Sequence, residues 1–189
     1  MRIEVGQQAP PINGETTTGE SLTPAALAGQ TVLLKFYRFA DCPICNLHIR
    51  DYVKRVDELS DAGITVVCVF HSSVPKLAET LRKLEVPFAV VADPTKKLFA
   101  AYSVEHSMRG MFRTPVWRQY ARAMRAGIFS RPLGHEGGVQ THPADFLIGP
   151  DGIVQLAHYG ADYADSLSVD DVLASEPARA SAIRVSWAG

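Results

Sequence analysis

The chain has 189 residues, 47% of them apolar and 21% charged, with a net charge of −1. That length predicts one domain with a core of its own, and the composition excludes whole-chain disorder; 14 Gly and 12 Pro are too few for a low-complexity polymer. The near-zero charge gives no general pull toward nucleic acid or anionic membrane, and no apolar run approaches the roughly 18 residues that span a bilayer. Three cysteines are too few for a disulfide scaffold, and two of them, Cys42 and Cys45, form a C-x-x-C. Met1 to Gly6 lacks the apolar stretch of a signal peptide, so a soluble, cytoplasmic protein is expected.

Residues 1–30 are rich in turn formers, with Thr16 to Thr18 a candidate hairpin strand. Thr31 to Tyr37 is a short, nearly continuous apolar run, bounded by Gly29 and by Asp41-Cys42-Pro43, and reads as a buried strand. A helix follows: Ile49, Tyr52, Val53, Val56 and Leu59 recur every three or four residues, Asp51 and Arg55 form an i,i+4 pair, and Gly63 ends it. Ile64 to Phe70 is a second buried strand. The next helix, capped by Ser72 or Ser73, carries Val74, Leu77, Leu81 and Leu84. Phe88 to Ala92 is a third strand, and Asp93-Pro94 turns into a helix with Leu98, Ala101 and Tyr102. Phe146 to Ile148 and Ile153 to Ala157 flank Gly149-Pro150-Asp151-Gly152 as a hairpin. Ser168 with Asp171 is a capping box for a last helix through Val172 and Leu173. Strands alternating with helices predict a parallel sheet covered on both faces, with the hairpin adding antiparallel strands.

Cys42 falls where the first buried strand gives way to a helix. The free N–H groups and partial positive charge of a helix N-terminus stabilise a thiolate. Pro43 suits the first helical position, where its missing N–H costs nothing. Cys45 is one turn on, on the same face, with Cβ atoms roughly 5–6 Å apart. Cys42 can therefore attack an electrophilic sulfur or oxygen, and Cys45 can close the disulfide. A structural metal site normally needs four ligands, and no second C-x-x-C accompanies this one. Cys68, between valines in a strand, reads as a small buried hydrophobe.

Phe36 to Cys45, Phe-Tyr-Arg-Phe-Ala-Asp-Cys-Pro-Ile-Cys, is similar to the active-site strand and loop of thioredoxin-fold redox proteins. More closely, the chain resembles the peroxiredoxin-like redoxins of the alkyl hydroperoxide reductase/thiol-specific antioxidant (AhpC/TSA) group. Val5 to Pro10, Pro87 to Pro94 and Pro143 to Gly152 fit the same pattern, and the resemblance covers most of 3–175 apart from 107–135. It implies an α/β thioredoxin-like fold: a central mixed sheet with helices on both faces, an N-terminal hairpin extension (1–30) and an arginine-rich helical insertion (107–142), all within one domain, 1–189. It implies Pro143 as a cis-proline, with His142 before it lying against the two sulfurs, able to tune Cys42 or accept a proton. His48, His71, His106, His135 and His158 show no metal-ligand spacing and read as structural or solvated.

The chain departs from the family at four places. Typical peroxiredoxins carry Pro seven residues and Thr or Ser three residues before the peroxidatic Cys, where this chain has Lys35 and Phe39. Thioredoxins have Trp just before the first Cys and bury an Asp six residues before it, where this chain has Asp41 and Phe36. Asp41 opposes thiolate formation and Arg38 favours it.

Between Glu105 and Glu136 there are six arginines (Arg109, Arg113, Arg118, Arg122, Arg125 and Arg131) and no acidic residue or lysine. Thr114-Pro115 starts a helix with Val116, Trp117, Tyr120 and Met124 on one face and arginines on another. The segment is either a solvated amphipathic helix or a contact surface, with a homodimer through 107–131 expected and the acidic C-terminal stretch (Asp162, Asp165, Asp170, Asp171, Glu176) as its complement. The expected function is a thiol-dependent oxidoreductase reducing disulfides or peroxides, with Cys42 as nucleophile and Cys45 as resolving thiol. Its electrons come from a thioredoxin-like or low-molecular-weight thiol, with no bound cofactor. The alternatives are a metal or iron–sulfur protein using Cys42, Cys45 and His142, and a non-catalytic redoxin-fold binding module.

Overall fold

The computed structural model describes residues 1–82, 84–104, 114–128, 141–175 and 177–178. Its frame is one seven-stranded mixed sheet. β1 (Gly14–Thr16) and β2 (Ser21–Leu22) form the N-terminal hairpin, and β1 also pairs antiparallel with β5 (Ala89–Ala92). β4 (Ile64–Phe70), the central strand, lies parallel to β5 and to β3 (Thr31–Tyr37). β6 (Ala144–Ile148) runs antiparallel to β3, and β7 (Val154–Tyr159) closes the far edge, so the spatial order is β2-β1-β5-β4-β3-β6-β7.

The two-residue period of the strands sorts the core into two layers. Leu33 and Tyr37 of β3, Val66, Cys68 and Phe70 of β4 and Leu147 of β6 share one layer with Ile44, Ile49, Tyr52, Leu59, Leu77, Leu81 and Val172. These last come from α1 (Pro43–Lys54), α2 (Val56–Asp61), α3 (Val74–Leu81) and α6 (Val169–Ala174). Leu34, Phe36, Val67, Val69 and Phe146 face the other way, onto Leu98 and Phe99 of α4 (Lys97–Ala101). There Phe36 lies 5.0 Å from the Phe99 ring and 5.2 Å from that of Tyr102. Asp93 anchors the start of α4 by accepting from the backbone N–H groups of Lys97, Leu98 and Phe99.

Two predicted elements differ. The helix expected to run to Gly63 breaks at Arg55 (φ −123°, ψ 19°), whose guanidinium pairs with Glu58 at 2.7 Å and Asp170 at 2.8 Å. The expected Asp51–Arg55 pair is therefore not made; Asp51 instead meets Arg122 at 3.4 Å. The insertion helix is α5 (Thr114–Arg125), with the predicted start, but its inward side is different. Ala123 is buried and Tyr120 half-buried, whereas Trp117 and Met124, expected beside Tyr120 on the apolar face, are exposed. α5 docks on α1, so the core takes the Tyr120–Ala123 side of the helix, and small Ala123 allows the close approach. The predicted Ser168–Asp171 capping box is present. Arg109, Arg113, Arg131, His106, His135 and Glu176 lie outside the described residues.

Candidate active site

β3 delivers the chain to Arg38, and a tight turn carries it to α1. Four contacts hold that turn: Cys42 N–H donates to Phe39 O at 3.0 Å, Ala40 N–H to Ser72 Oγ at 3.0 Å, and Asn46 Nδ2 to both Ala40 O (2.6 Å) and Cys42 O (2.9 Å). Cys42 is thereby fixed as the N-cap of α1, with Pro43 in the first turn as expected. Cys42 Sγ accepts from the Cys45 backbone N–H at 3.4 Å. Both thiols are reduced and buried.

Arg38 is the cation of the site. The residue is 2% exposed, with Nη1 3.9 Å from Cys42 Sγ. It lies 4.0 Å over the Tyr163 ring and 5.2 Å from that of Phe39, a cation–π setting that offsets part of its desolvation. Burial by itself would raise the Cys42 thiol; hydrogen bonding from Cys45, the Arg38 charge and the backbone amides of Cys45 and Ile44 outweigh it and bring it down to about 7. Cys45 moves the opposite way: burial and the neighbouring Cys42 push it well above an ordinary thiol. Burial pushes Cys68 up to about 12, consistent with an unreactive core thiol.

Asp41 does not face the thiols. Its carboxylate pairs with Lys76 at 3.0 Å and accepts from Thr80 Oγ1 at 3.3 Å, so its negative charge is met on α3. His142 and Pro143 depart from expectation. The His142–Pro143 peptide bond is trans. An X–Pro bond prefers trans by only about 0.5–1 kcal/mol, so local pairing decides the isomer. Here Pro143 O accepts from Gly160 N–H at 2.9 Å and His142 Nδ1–H donates to Gly160 O at 3.0 Å, which hold the chain extended into β6. The His142 ring sits edge-on to Tyr163, 5.3 Å between centroids, and so bears on the thiols through Tyr163 and Arg38. The alternative metal set of Cys42, Cys45 and His142 is not gathered; among the described residues no group of three or more His, Cys, Asp or Glu is placed to hold a metal.

Sequence reasoning missed a buried ion pair between β3 and β6. Lys35 Nζ meets Asp145 Oδ1 at 2.5 Å, and also donates to Tyr52 OH at 3.2 Å and Leu167 O at 3.0 Å. Asp145 accepts further from Leu167 N–H and Ser166 Oγ. Burial works against the Lys35 charge, but Asp145 and Tyr52 more than compensate, and the ammonium is held well above its usual range. The core thus holds a buried carboxylate, Asp145, supplied by β6 rather than by position 36. A lysine inside an apolar strand was the signal.

A family model described as the AhpC/TSA family matches residues 5–157. The chain belongs to the AhpC/TSA family. A Coxiella burnetii protein named for the peroxiredoxin Bcp is 33% identical over 104 residues, 55% of this chain and 69% of that one. Among solved structures, peroxiredoxin 6 of Arenicola marina superposes with a TM-score of 0.69 at 16% identity, covering 90% of this chain and 70% of that one. Peroxidoxin BcpB from Mycobacterium tuberculosis does so at 0.66 and 16%, covering 97% and 99%. The chain is therefore a peroxiredoxin-like enzyme with an α/β thioredoxin fold. None of its described helices is long and apolar enough to cross a membrane.

Proposed function

We propose that this AhpC/TSA enzyme is a thiol peroxidase in which Cys42 is the nucleophile and Cys45 the resolving thiol. The observation that carries the reading is the opposed tuning of two thiols one helical turn apart: Cys42 at the α1 N-cap beside Arg38 ionises near neutrality, while Cys45 stays protonated. The Cys42 thiolate attacks a peroxide oxygen; the O–O bond breaks, the sulfur is oxidised to a sulfenic acid, and the departing alkoxide or hydroxide takes a proton to leave as alcohol or water. Cys45 sulfur then attacks Cys42 sulfur. The S–O bond breaks, the Cys45 proton leaves with the hydroxide as water, and an S–S bond forms. Two electrons from an external thiol, thioredoxin-like or of low molecular weight, restore the dithiol.

Burial favours a small oxidant. Cys42 is 0% and Cys45 4% exposed, which suits a peroxide better than a disulfide on a folded protein. Disulfide reduction is the second reading, favoured by Phe39 standing where peroxiredoxins carry a peroxide-orienting hydroxyl. Turnover of hydrogen peroxide, an alkyl hydroperoxide and insulin disulfide, measured side by side, separates the two: the peroxidase reading expects the peroxides to be consumed faster, and faster insulin reduction would contradict it. We read 1–189 as one functional unit, cytoplasmic, with a homodimer formed through the 107–131 insertion.

A further inference from the structure

We propose that Asn46, buried on α1 one residue past Cys45, is a positioning residue of the thiolate site: its carboxamide ties Cys42 O to Ala40 O and so sets where the Cys42 sulfur stands. This rests on the reading of Cys42 as the nucleophile.

A thiolate at a helix N-cap gains from the helix only while its backbone is held there, because the field of the terminal N–H groups falls off within the first turn. The two peptides flanking Cys42 are held differently. The one before it donates its N–H to Phe39 O at 3.0 Å. The one after it joins Cys42 to Pro43, and proline has no N–H, so that peptide can be hydrogen-bonded only through Cys42 O. Asn46 donates to this oxygen twice: through its backbone N–H at 3.0 Å, the opening bond of α1, and through Nδ2 at 2.9 Å. Helix ends fray, and the side-chain bond doubles the one most exposed to fraying.

The other hydrogen of Nδ2 goes to Ala40 O at 2.6 Å. From the far side, Ala40 N–H donates to Ser72 Oγ at 3.0 Å and Arg38 O accepts from His71 N–H at 3.0 Å. The turn is thus pinned to the end of β4 on one side and to α1 on the other, and Asn46 makes the side-chain attachment to α1. Both of its partners are carbonyls, so the nitrogen of the carboxamide, not its oxygen, must face them. Asparagine is a poor residue for a helix interior and is seldom buried; here both of its amide hydrogens are used on the turn. The result is felt at sulfur. With Cys42 held at φ −68°, ψ 115°, Sγ lies 3.4 Å from Cys45 N and 3.9 Å from Arg38 Nη1. The Arg38 contact is long, so a small drift of the Cys42 backbone weakens it.

The test is the rate of alkylation at Cys42 against pH, read by mass spectrometry on the reduced full-length protein. Asn46→Ala removes both donors and leaves a better helix former; the Cys42 midpoint is expected to rise by about half a pH unit, slowing alkylation at pH 6.5 about threefold. Asn46→Ser, whose hydroxyl can still donate to the carbonyl four residues back, is expected to give back part of that shift. Val172→Ala thins the same core layer from α6 and takes no hydrogen bond from the turn; it is expected to lower the urea midpoint and leave the alkylation curve in place. Superimposable curves for Asn46→Ala and the unaltered protein would overturn the proposal, as would an equal shift in Val172→Ala or an Asn46→Ser curve no nearer the original than that of Asn46→Ala. If Asn46→Ala does not fold, Asn46→Ser decides by itself, and an unmoved curve overturns the proposal. An unaltered Cys42 that alkylates as an ordinary thiol would instead count against the reading of Cys42 as the nucleophile.

Discussion

Burying a thiol in an apolar core holds its proton on, as Cys68 shows, and Cys42 is no less buried. What separates them is the helix N-cap and Arg38. The N-cap position was legible in the sequence, because a strand running into Cys-Pro can place Cys42 nowhere else. The Arg38 charge was legible too, but not its setting, because Tyr163 covers it from a remote part of the chain. Removing the charge with Arg38→Gln is expected to raise the Cys42 midpoint from about 7 by about one unit, read as alkylation rate against pH. Lys35 makes a second residue-scale case. Its partner Asp145 is 110 residues away, and no local pattern joins them. Lys35→Met leaves Asp145 buried without its counter-ion, and urea unfolding at pH 7 is expected to show a loss of about 3–5 kcal/mol. Lys35→Met with Asp145→Leu should recover most of it, since neither charge is then left alone. A double variant no more stable than Lys35→Met would contradict this account of the pair.

At the scale of elements, α1 carries both chemistry and stability. Tyr52 accepts from Lys35 at 3.2 Å, and His48, one turn before it, feels the charges of the Lys35–Asp145 pair. Burial, with the Lys35 charge, pushes His48 down to about 4. The sign follows from linkage. An unfolded histidine takes its proton near 6.5, so below that pH the unfolded state binds more protons and the native state loses stability. The loss runs from about pH 6.5 to 4 and reaches at most about 3 kcal/mol. Urea midpoints at pH 7 and pH 5 would measure it, and His48→Gln is expected to flatten the difference. The break at Arg55 was not legible, because the apolar stripe continues through it; the ion pairs to Asp170 and Glu58 are tertiary. The inward side of α5 was misread for a related reason: a periodic pattern with Trp117 and Met124 in it names an apolar face, but only the fit of Ala123 against Leu47 decides which side meets the body.

For the whole molecule, the alternation of strands and helices was enough to give the α/β class and the terminal hairpin, and the C-x-x-C sat at the right junction. The strand order was out of reach of local patterns, since it depends on β6 pairing with β3 across more than a hundred residues. The arginine-rich insertion is partly neutralised within the chain, through Arg122 and Asp51, while Asp165 and Asp170 are engaged by His158 and Arg55. What α5 leaves outward is Trp117 and Met124, an apolar stripe with exposed Arg118 and Arg125 close by, the mixture enriched at protein interfaces. A dimer through this face is expected in sedimentation at micromolar concentration, weakening as salt screens the arginines, and a monomer at low salt would contradict it.

The central claim is the division of labour between Cys42 and Cys45, and a single turnover tests it most directly. Reduced protein is mixed with one equivalent of hydrogen peroxide and its peptides are read by mass spectrometry, alongside Cys45→Ser. The account predicts an intramolecular Cys42–Cys45 disulfide in the unaltered chain and a sulfenic acid on Cys42 in the variant. Oxygen appearing first on Cys45, or a Cys42 thiol left unchanged by peroxide, would contradict it.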